Sequence, residues 1–519
     1  MKNPYERKKL LTLLGAICGA TAVTKLLSMV VSHNTTIKCM LLLGFVFGIA
    51  MVTKAQTGDE TYGIRIGGVE VTSENYQDIS AEGGFPAVKR GYLKFDRGSK
   101  TLHLTEGTSV ESANTHAIEF YGEGVRRYTL QLHGESKVSA LGRPNSALST
   151  SVRLIIEGDI CSFNAEGGAG IEVKNGVTLI IGGCQITAHG GQHGIRGTTR
   201  TEHMEIYDAD VRAQGRSSSM SGFQDIELFN CQITSPPGAY IENGEVRVEG
   251  SATNEEVVIR RVVPLGLKIG GVEVTNLNYE NITAEGGFEC VREGRVTFDP
   301  RTQTLTLDNA VIKHAGGSTA ITIDGNTAVH HAEWTLSLIG DNKVVSHFAG
   351  LLADVEVLIV KGDADAVLSI VSEGREAIGI LKSMRIRICS VEAEGFWGIS
   401  GCGRLGTLMV EDANVRAKGE GGSVSGLAAF YMRNSEIVEP EDAAWNAEEG
   451  AICHTLSDAV VTDEVIIRKM DTNALQATPA NATAKPQGTF SLNGVRQQAE
   501  LDRLPKGVYA RGGQKVLKK

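Results

Sequence analysis

The sequence predicts an all-β protein that folds as a right-handed parallel β-helix, a solenoid, in two tandem copies of about 203 residues. The first observation is a duplication, because residues 63–85 return almost unchanged as residues 266–288, at an offset of 203 residues. The second is a shorter period of 22 to 28 residues inside each copy. The third is composition, since 62 glycines against 11 prolines favour many short strands joined by tight turns.

The internal period is visible as pairs of apolar residues separated by one position. These pairs begin at Leu154, Leu179, Met204 and Ile226 in the first copy, and at Leu336, Leu358, Ile386, Leu408 and Phe430 in the second. Strands of successive turns would pair at a spacing of about 4.8 Å, so equivalent side chains should stack into ladders inside a dry tube. The framework of leucine-rich repeats is absent, and a β-propeller would need longer units.

The cysteines fall on this repeat. Alignment of the turns by their corners places Cys161, Cys184, Ala209 and Cys231 at one position, and Ala366, Cys389, Ala413 and Ser435 at the same position of the second copy. Such a run of small side chains predicts an inward-facing ladder beside a tight corner. Stacked cysteines would lie near disulfide spacing, but buried free thiols are the expectation. A metal site is not expected there, because no Cys-x-x-Cys or matching histidine spacing exists.

The N-terminal region, residues 1–55, is predicted to direct export. The apolar run at residues 40–52 has about the length of a signal-peptide core and is short for a membrane span. Small residues stand at the two positions that a signal peptidase reads, so cleavage is expected after Ala55. An earlier apolar run at residues 10–31 has two interpretations: it precedes a true start near Met29, or it forms a membrane hairpin.

Four further segments follow the leader. They are a first β-helix copy at 61–262, a second copy at 263–469, an Ala/Thr/Pro linker at 470–488 and a C-terminal segment at 489–519. The leader holds seven of the 51 basic residues and one of the 61 acidic residues, which leaves the rest of the chain with a net charge of −16. An acidic chain of this kind is a poor partner for nucleic acid. Membrane contact is expected only through the N-terminal segment or through surface anchoring.

The C-terminal segment carries a recognisable pattern. It reads Pro-Lys-Gly-Val-Tyr at 505–509 and Gly-Gly-Gln-Lys-Val-Leu-Lys-Lys at 512–519. This pattern resembles the C-terminal segment of exported Bacteroidota proteins, in which it looks like a sorting signal of the type IX secretion system. Gln56, after the expected cleavage site, is similar to mature starts in that phylum. The resemblance implies an exported protein, on the cell surface or extracellular and associated with the outer membrane.

The duplicated body carries a second resemblance. Its turns and its Gly-Asp corners, at 158–159, 340–342 and 362–363, resemble those of β-helical proteins described as carbohydrate-binding. These include clostridial polygalacturonate-binding relatives of the pectate-lyase-like fold. The leading hypothesis is therefore a non-catalytic secreted or surface protein that binds a polysaccharide or host glycan along one sheet face. The alternatives are a polysaccharide lyase or glycoside hydrolase of the pectinase-like fold, and a protein-binding adhesin.

Catalysis would need clustered carboxylates with a nearby histidine, lysine or arginine. The best candidate cluster in the sequence consists of His189, His193, Tyr207, Asp208 and Asp210. The second copy has Glu394 where the first has His189, and Phe396-Trp397 where the first has Gln192-His193. Because the scaffold is repeated without the histidines, the shared feature is interpreted as structural, and no catalytic residue is assigned.

Phe396 and Trp397 are predicted to form a sugar-stacking platform, because aromatic faces suit the C–H groups of a pyranose ring. A plug in the core or at a junction is the alternative. His189, His193 and Tyr207 complete the candidate carbohydrate-binding set. No cofactor is expected, and calcium is the candidate metal. It would be held by the corner residues Asp208, Asp210 and Asp412, although a corner aspartate that accepts backbone hydrogen bonds explains the same pattern.

Overall fold

A computed structural model describes most of the chain between residues 60 and 518. The described ranges are 60–122, 126–142, 144–325, 333–470, 489–491, 496–497, 503–511 and 514–518. The predicted leader, its cleavage after Ala55 and nearly all of the predicted linker lie outside them. No helix among the described residues is long and apolar enough to cross a membrane.

The described residues form short strands that stack into parallel ladders, which confirms the prediction of an all-β parallel β-helix. The described residues divide into two compact units, unit 1 up to residue 262 and unit 2 from residue 263. In each unit a turn has up to three strands, and equivalent strands of successive turns form three ladder-like sheets, two of which are joined by long strands that turn the corner between them. We call these sheets face A, face B and face C, in the order in which the chain visits them within a turn.

Unit 1 has the following strands. Face A contains Leu93–Asp96, Thr101–Leu104, Tyr128–Leu132, Leu154–Glu157, Thr178–Gly182, His203–Tyr207 and Asp225–Phe229. Face B contains Val88–Arg90, Thr108–Ser112, Glu135–Ala140, the first parts of Ser162–Val173 and Gln185–Gly197, and then Asp210–Gly215, Cys231–Ser235 and Val257–Arg261. Face C contains Thr61–Ile66, Val69–Thr72, Ile118–Phe120, Leu148–Thr150, the last parts of the two long strands, and Ser218–Ser221. A side sheet is formed by Tyr240–Glu242, Glu245–Val248 and Ser251–Ala252.

Unit 2 repeats this plan. Face A contains Val291–Asp299, the first part of Thr304–His314, and then Glu333–Ile339, Val357–Gly362, Ser383–Arg387, Thr407–Glu411 and Ala429–Arg433. Face B contains the last part of Thr304–His314, and then Asp341–Ser346, Val367–Ser372, Ser390–Gly395, Asn414–Gly419, Ser435–Glu439 and Val465–Lys469. Face C contains Pro264–Ile269, Val272–Thr275, Ile321–Asp324, Leu351–Asp354, Glu376–Ile380, Trp397–Ser400 and Val424–Ser425. Ala443–Asn446 pairs with Ala451–His454, and the tail forms a sheet of Thr489–Ser491, Arg496–Gln497, Gly507–Arg511 and Gln514–Lys518.

Side chains alternate between inward and outward directions along each strand, and the inward ones form the core. On face A of unit 1, Leu130, Ile156, Ile181 and Ile206 occupy successive turns and are each fully buried. Their neighbours in sequence point outward, as the two-residue period of a strand requires. Burial of each such side chain contributes about 1.5–3 kcal/mol, so the stacked ladders are the main source of stability.

Antiparallel strands close the ladders in both units. Face C begins with Thr61–Ile66 in unit 1 and Pro264–Ile269 in unit 2, each antiparallel to the next strand of its ladder. In face B, Val257–Arg261 and Val465–Lys469 come last in the chain and are inserted between the edge strand and the next strand of the ladder, antiparallel to both. Such strands cap the ladders, because an open ladder would offer unpaired backbone groups to other chains.

The repeated opening segment, residues 63–85 and 266–288, builds the first of these caps. Asn75 accepts a hydrogen bond from the backbone N–H of Thr72 at 2.7 Å, and Asn278 does the same for Thr275 at 2.7 Å. Phe85 and Phe288, at the end of each copy of the segment, are fully buried. The most closely repeated stretch of sequence therefore serves the scaffold.

The small-residue ladder is buried as predicted except at Cys231, which is half-buried. Cys161, Cys184 and Ala209 are between 1% and 6% exposed, and Cys389 of unit 2 is 2% exposed. All seven cysteines among the described residues are free. Burial raises the pKa of Cys389 to about 12, so its thiol is unreactive at neutral pH.

Candidate functional site

Face A of unit 1 carries an exposed aromatic stack. Tyr207 and Phe229 occupy the same position on adjacent turns, and their rings are parallel within 4° with centroids 4.3 Å apart. The Tyr207 hydroxyl donates a 2.9 Å hydrogen bond to the carboxylate of Glu205, which raises the pKa of Tyr207. Phe229 is 38% exposed. The stack therefore offers an apolar surface that is fixed by a polar neighbour.

The turn before this stack leaves a gap. Gly182 precedes Tyr207 in the same row, and a Cβ placed on Gly182 would meet no atom within 4 Å. Glu157 follows one turn further along the row, and it is exposed. Because one face of the Tyr207 ring packs on Phe229, its other face is directed toward this gap.

Face A of unit 2 places different chemistry at the equivalent positions. The row that contains Glu157, Gly182, Tyr207 and Phe229 in unit 1 contains Lys361, Arg387, Glu411 and Arg433 in unit 2. Glu411 lies between two arginines, 2.9 Å from Arg387 Nε and 3.0 Å from a terminal nitrogen of Arg433. The neighbouring row has Arg385 and Tyr431, and Tyr431 is 58% exposed. This sheet is basic where that of unit 1 is acidic.

A corner between face B and face C of unit 2 places aromatic side chains on two turns and an arginine on the turn between them. Backbone hydrogen bonds link Phe348 to Arg375 at 3.1 Å and Arg375 to Phe396 at 3.0 Å, so these residues form one column. The Arg375 guanidinium lies 5.2 Å from the centroid of the Phe348 ring. Trp397 packs edge-on against Phe396, with centroids 4.5 Å apart at 83°. We call Phe348, Arg375, Phe396 and Trp397 the aromatic corner.

The aromatic corner is exposed and bordered by polar groups. Phe396 is 43% exposed, and the Trp397 ring lies against the backbone of Gly421, where a Cβ would stand 2.4 Å from the indole nitrogen. The His347 ring contacts the Glu373 carboxylate at 2.8 Å beside the column. Of the two predicted stacking residues, Phe396 thus faces solvent and Trp397 is half-buried beneath it.

The predicted histidine-centred cluster is divided among several surfaces. Tyr207 lies on face A and His189 on face B, where His189 borders a shallow hollow with Gln214 and Arg216. His193 lies beyond the next corner and hydrogen-bonds Ser218 at 2.8 Å. Burial, followed by the nearby charge of Arg196, lowers the pKa of His193, so its ring is neutral at pH 7.

The three calcium candidates have partners within the fold. Asp208 and Asp412 stand at equivalent corners with φ of 47° and 49°, and each accepts a 3.3 Å hydrogen bond from an asparagine one turn away, Asn230 or Asn434. Asp210 accepts a 3.1 Å hydrogen bond from the Arg261 backbone. Within the described ranges no three His, Cys, Asp or Glu side chains group closely enough to hold a metal ion. The left-handed backbone of a corner is itself a reason for aspartate there.

Face C of unit 1 contains a buried ion cluster that sequence analysis missed. The Glu172 side chain is 4% exposed, and its carboxylate lies 2.7 Å from Lys174 Nζ and 2.9 Å from Arg196 Nε. Burial works to raise the pKa of Glu172, but the hydrogen bonds from Lys174 and Arg196 outweigh it and hold the pKa below its usual range. The equivalent residue of unit 2 is Gly379, so this cluster belongs to one unit.

Comparison of the chain with protein-family models, with curated proteins and with solved structures found no match in any of the three. What the protein binds has to be inferred from its own surfaces.

Proposed function

We propose that this protein is a non-catalytic, exported β-helix protein that binds polysaccharide on its surface. The observation that carries the proposal is the aromatic corner, where Phe348, Arg375 and Phe396 form a column on successive turns, with Phe348 half-buried and the other two exposed. Export and attachment at the cell surface are supported by the apolar leader and by the resemblance of the C-terminal segment to type IX sorting signals.

The corner has the chemistry that a sugar polymer needs. The exposed face of Phe396 offers an apolar surface for the C–H groups of a pyranose ring. Arg375, His347 and Glu373 supply donors and acceptors for hydroxyl groups beside it. Because the turns repeat at about 4.8 Å, neighbouring units of a polymer can contact neighbouring turns.

The surroundings of the corner favour binding over cleavage. Glycoside hydrolysis uses two carboxyl groups that are about 5–9.5 Å apart on opposite sides of the bond, at least one of which titrates as an acid. Of the carboxylates beside the column, Glu373 is paired with His347, and Glu376 is buried and paired with Arg375 at 3.3 Å. Both carboxylates are therefore already engaged by a side chain of the fold.

A polysaccharide array with the purified full chain tests the proposal. We expect retention on at least one glycan without release of reducing ends or unsaturated products, and no change when calcium is removed by a chelator. Phe396→Ala should abolish retention, because it removes the exposed ring of the column. Leu456→Ala is the control, since Leu456 is 92% exposed and lies outside the corner.

Two outcomes would contradict the proposal. Release of products would show a lyase or hydrolase, and silence on every glycan would favour the protein-binding adhesin. Retention that survives Phe396→Ala would move the binding site away from the aromatic corner.

A further inference from the structure

We infer that face A of unit 1 is a docking surface for face A of unit 2 of a second copy of this chain. The proposal concerns sheets that the proposed glycan site does not use. It begins from four turns that correspond in the two units. The four strands of each unit are Leu154–Glu157, Thr178–Gly182, His203–Tyr207 and Asp225–Phe229 in unit 1, and Val357–Gly362, Ser383–Arg387, Thr407–Glu411 and Ala429–Arg433 in unit 2.

The outward residues of these strands have opposite charge. Within these strands unit 1 presents four carboxylates and no lysine or arginine, namely Glu157, Glu205, Asp225 and Glu227, and the exposed Arg153 directly precedes the first strand. Unit 2 presents four cations and one carboxylate, namely Lys361, Arg385, Arg387, Arg433 and Glu411. One face therefore has a formal charge of −4 and the other of +3, on sheets with the same strand spacing. Complementary potentials of this kind steer two surfaces together and fix their register.

Several of these charges are exposed and have no ionic partner in the described part of the chain. Glu157 and Glu227 are exposed in unit 1, and Lys361 and Arg385 are exposed in unit 2. Among the described residues, no oppositely charged group lies within ion-pair distance of any of these four. Their solvation makes each sheet soluble alone, and each can gain a partner on docking.

Apolar groups lie between the charges on both sheets. Unit 1 contributes Ile180 and the Tyr207–Phe229 stack, and unit 2 contributes Met409 and Tyr431. Phe229 is 38% and Tyr431 58% exposed. On unit 1 the stack lies in the same row as Glu157, and on unit 2 Met409 and Tyr431 lie in the same row as Arg385. Apolar and aromatic groups interspersed with charges suit a protein–protein contact.

The dimensions predict a weak and salt-sensitive contact. Four turns at about 4.8 Å and five residues at about 3.3 Å cover roughly 300 Å² of each sheet. Even with flanking residues this remains below the ~1,200 Å² that marks the small, transient class of interfaces. Because the two docking surfaces differ, the contact is heterologous. In a dimer one chain retains an unused basic sheet and the other an unused acidic sheet, and further copies can dock there.

Analytical ultracentrifugation of the full chain tests the inference. We expect concentration-dependent association at about 0.01 M salt, where charges are screened over ~30 Å, and its loss at about 1 M salt, where the screening length is ~3 Å. Two double variants follow. Glu157→Lys with Glu227→Lys removes the net charge of the acidic sheet, and Lys361→Glu with Arg385→Glu inverts the basic one. Each should weaken association about tenfold or more.

A mixture of the two double variants gives the sharpest result. The variant Glu157→Lys with Glu227→Lys keeps a native basic sheet, and the variant Lys361→Glu with Arg385→Glu keeps a native acidic sheet. The mixture should therefore associate where neither variant does alone. It should stop at a 1:1 dimer, because the remaining sheets are altered. Lys313→Glu with Lys343→Glu is the control, since it makes the same charge change on face B of unit 2 and should leave association intact.

Three outcomes would overturn the inference. They are a wild-type chain that stays monomeric at low salt up to its solubility limit, a mixture that fails to associate, and a control that dissociates as fully as the face A variants. If the wild-type chain stays monomeric but binds dextran sulfate, and the double variant Lys361→Glu with Arg385→Glu does not bind it, the basic sheet is a polyanion site instead.

Discussion

On face A the two units place different chemistry at equivalent positions, whereas their caps are nearly the same. On face A, Glu157 of unit 1 corresponds to Lys361 of unit 2, and Gly182 corresponds to Arg387. In the caps, by contrast, Phe85 of unit 1 corresponds to Phe288 of unit 2, and both are fully buried. The inward positions are constrained by a core packed to near-crystalline density, and the outward positions are constrained only by the pleat. The comparison teaches that the duplication supplied a scaffold and that its outward rows differ in chemistry between the two units.

The largest expected effect concerns what the units share. Phe85→Ala and Phe288→Ala should each lower the free energy of unfolding of their own unit by about 3–5 kcal/mol, because each leaves a cavity in a fully buried cap. Hydrogen exchange followed by mass spectrometry reads the two units separately. If one of the two variants greatly lowers the free energy of unfolding of its unit and the other hardly changes that of its own, the two caps are not equivalent.

A smaller loss of stability is expected in unit 1 alone when its buried ion cluster is altered. Glu172→Gln should cost unit 1 about 2 kcal/mol at pH 7, because it leaves Lys174 and Arg196 without their shared carboxylate, although both cations are partly exposed. The folded pKa of Glu172 lies below the unfolded value of about 4.3, so this stabilisation is present above that pH. It is lost as the pH falls through the folded pKa.

Urea unfolding of the wild type and Glu172→Gln at neutral and acidic pH measures this difference. The two proteins should converge in acid, and exchange within unit 2 should be unchanged, because Gly379 stands at the equivalent position there. The ionic explanation would be contradicted if the two proteins still differed in free energy of unfolding below the folded pKa of Glu172. It would also be contradicted if Glu172→Gln lost as much protection from exchange in unit 2 as in unit 1.

The smallest effect concerns the corners, where the units agree again. Asp208→Val and Asp412→Val should each cost about 1–2 kcal/mol, since a β-branched residue tolerates a φ near 48° poorly, while glycine at either position should be nearly neutral. Thermal unfolding with calcium and with a chelator checks the cause. A calcium-dependent Tm that disappears in Asp208→Gly or Asp412→Gly would establish a metal site instead.

The sequence predicted the scaffold because the pairs of apolar residues recur from turn to turn. The apolar pairs from Leu154 to Phe430 lie on face A, and the small-residue ladder through Cys184 and Cys389 is buried at a corner. The candidate residues were harder to place. Phe396 and Trp397 stood out as neighbours in sequence, but Phe348 and Arg375 join them only once the turns are in register. Turn lengths differ, so a fixed period does not bring these residues into one column.

The histidine-centred group illustrates the same difficulty. His189, His193 and Tyr207 are close in sequence, yet corners of the β-helix separate them onto different surfaces. The opposite charges of face A could have been read from the sequence, because Glu157 and Lys361 follow equivalent apolar pairs. The contrast becomes visible only when the outward rows of the two copies are compared turn by turn.

An exchange of residues between the copies tests most directly whether outward positions carry the function. Phe396→Gln with Trp397→His gives unit 2 the residues that unit 1 has at the equivalent corner. The binding constant for a retained polysaccharide is measured by affinity electrophoresis, together with the free energy of unfolding. Our account predicts that binding is lost while the free energy of unfolding changes by less than about 1 kcal/mol. Unchanged binding in a folded protein would contradict it.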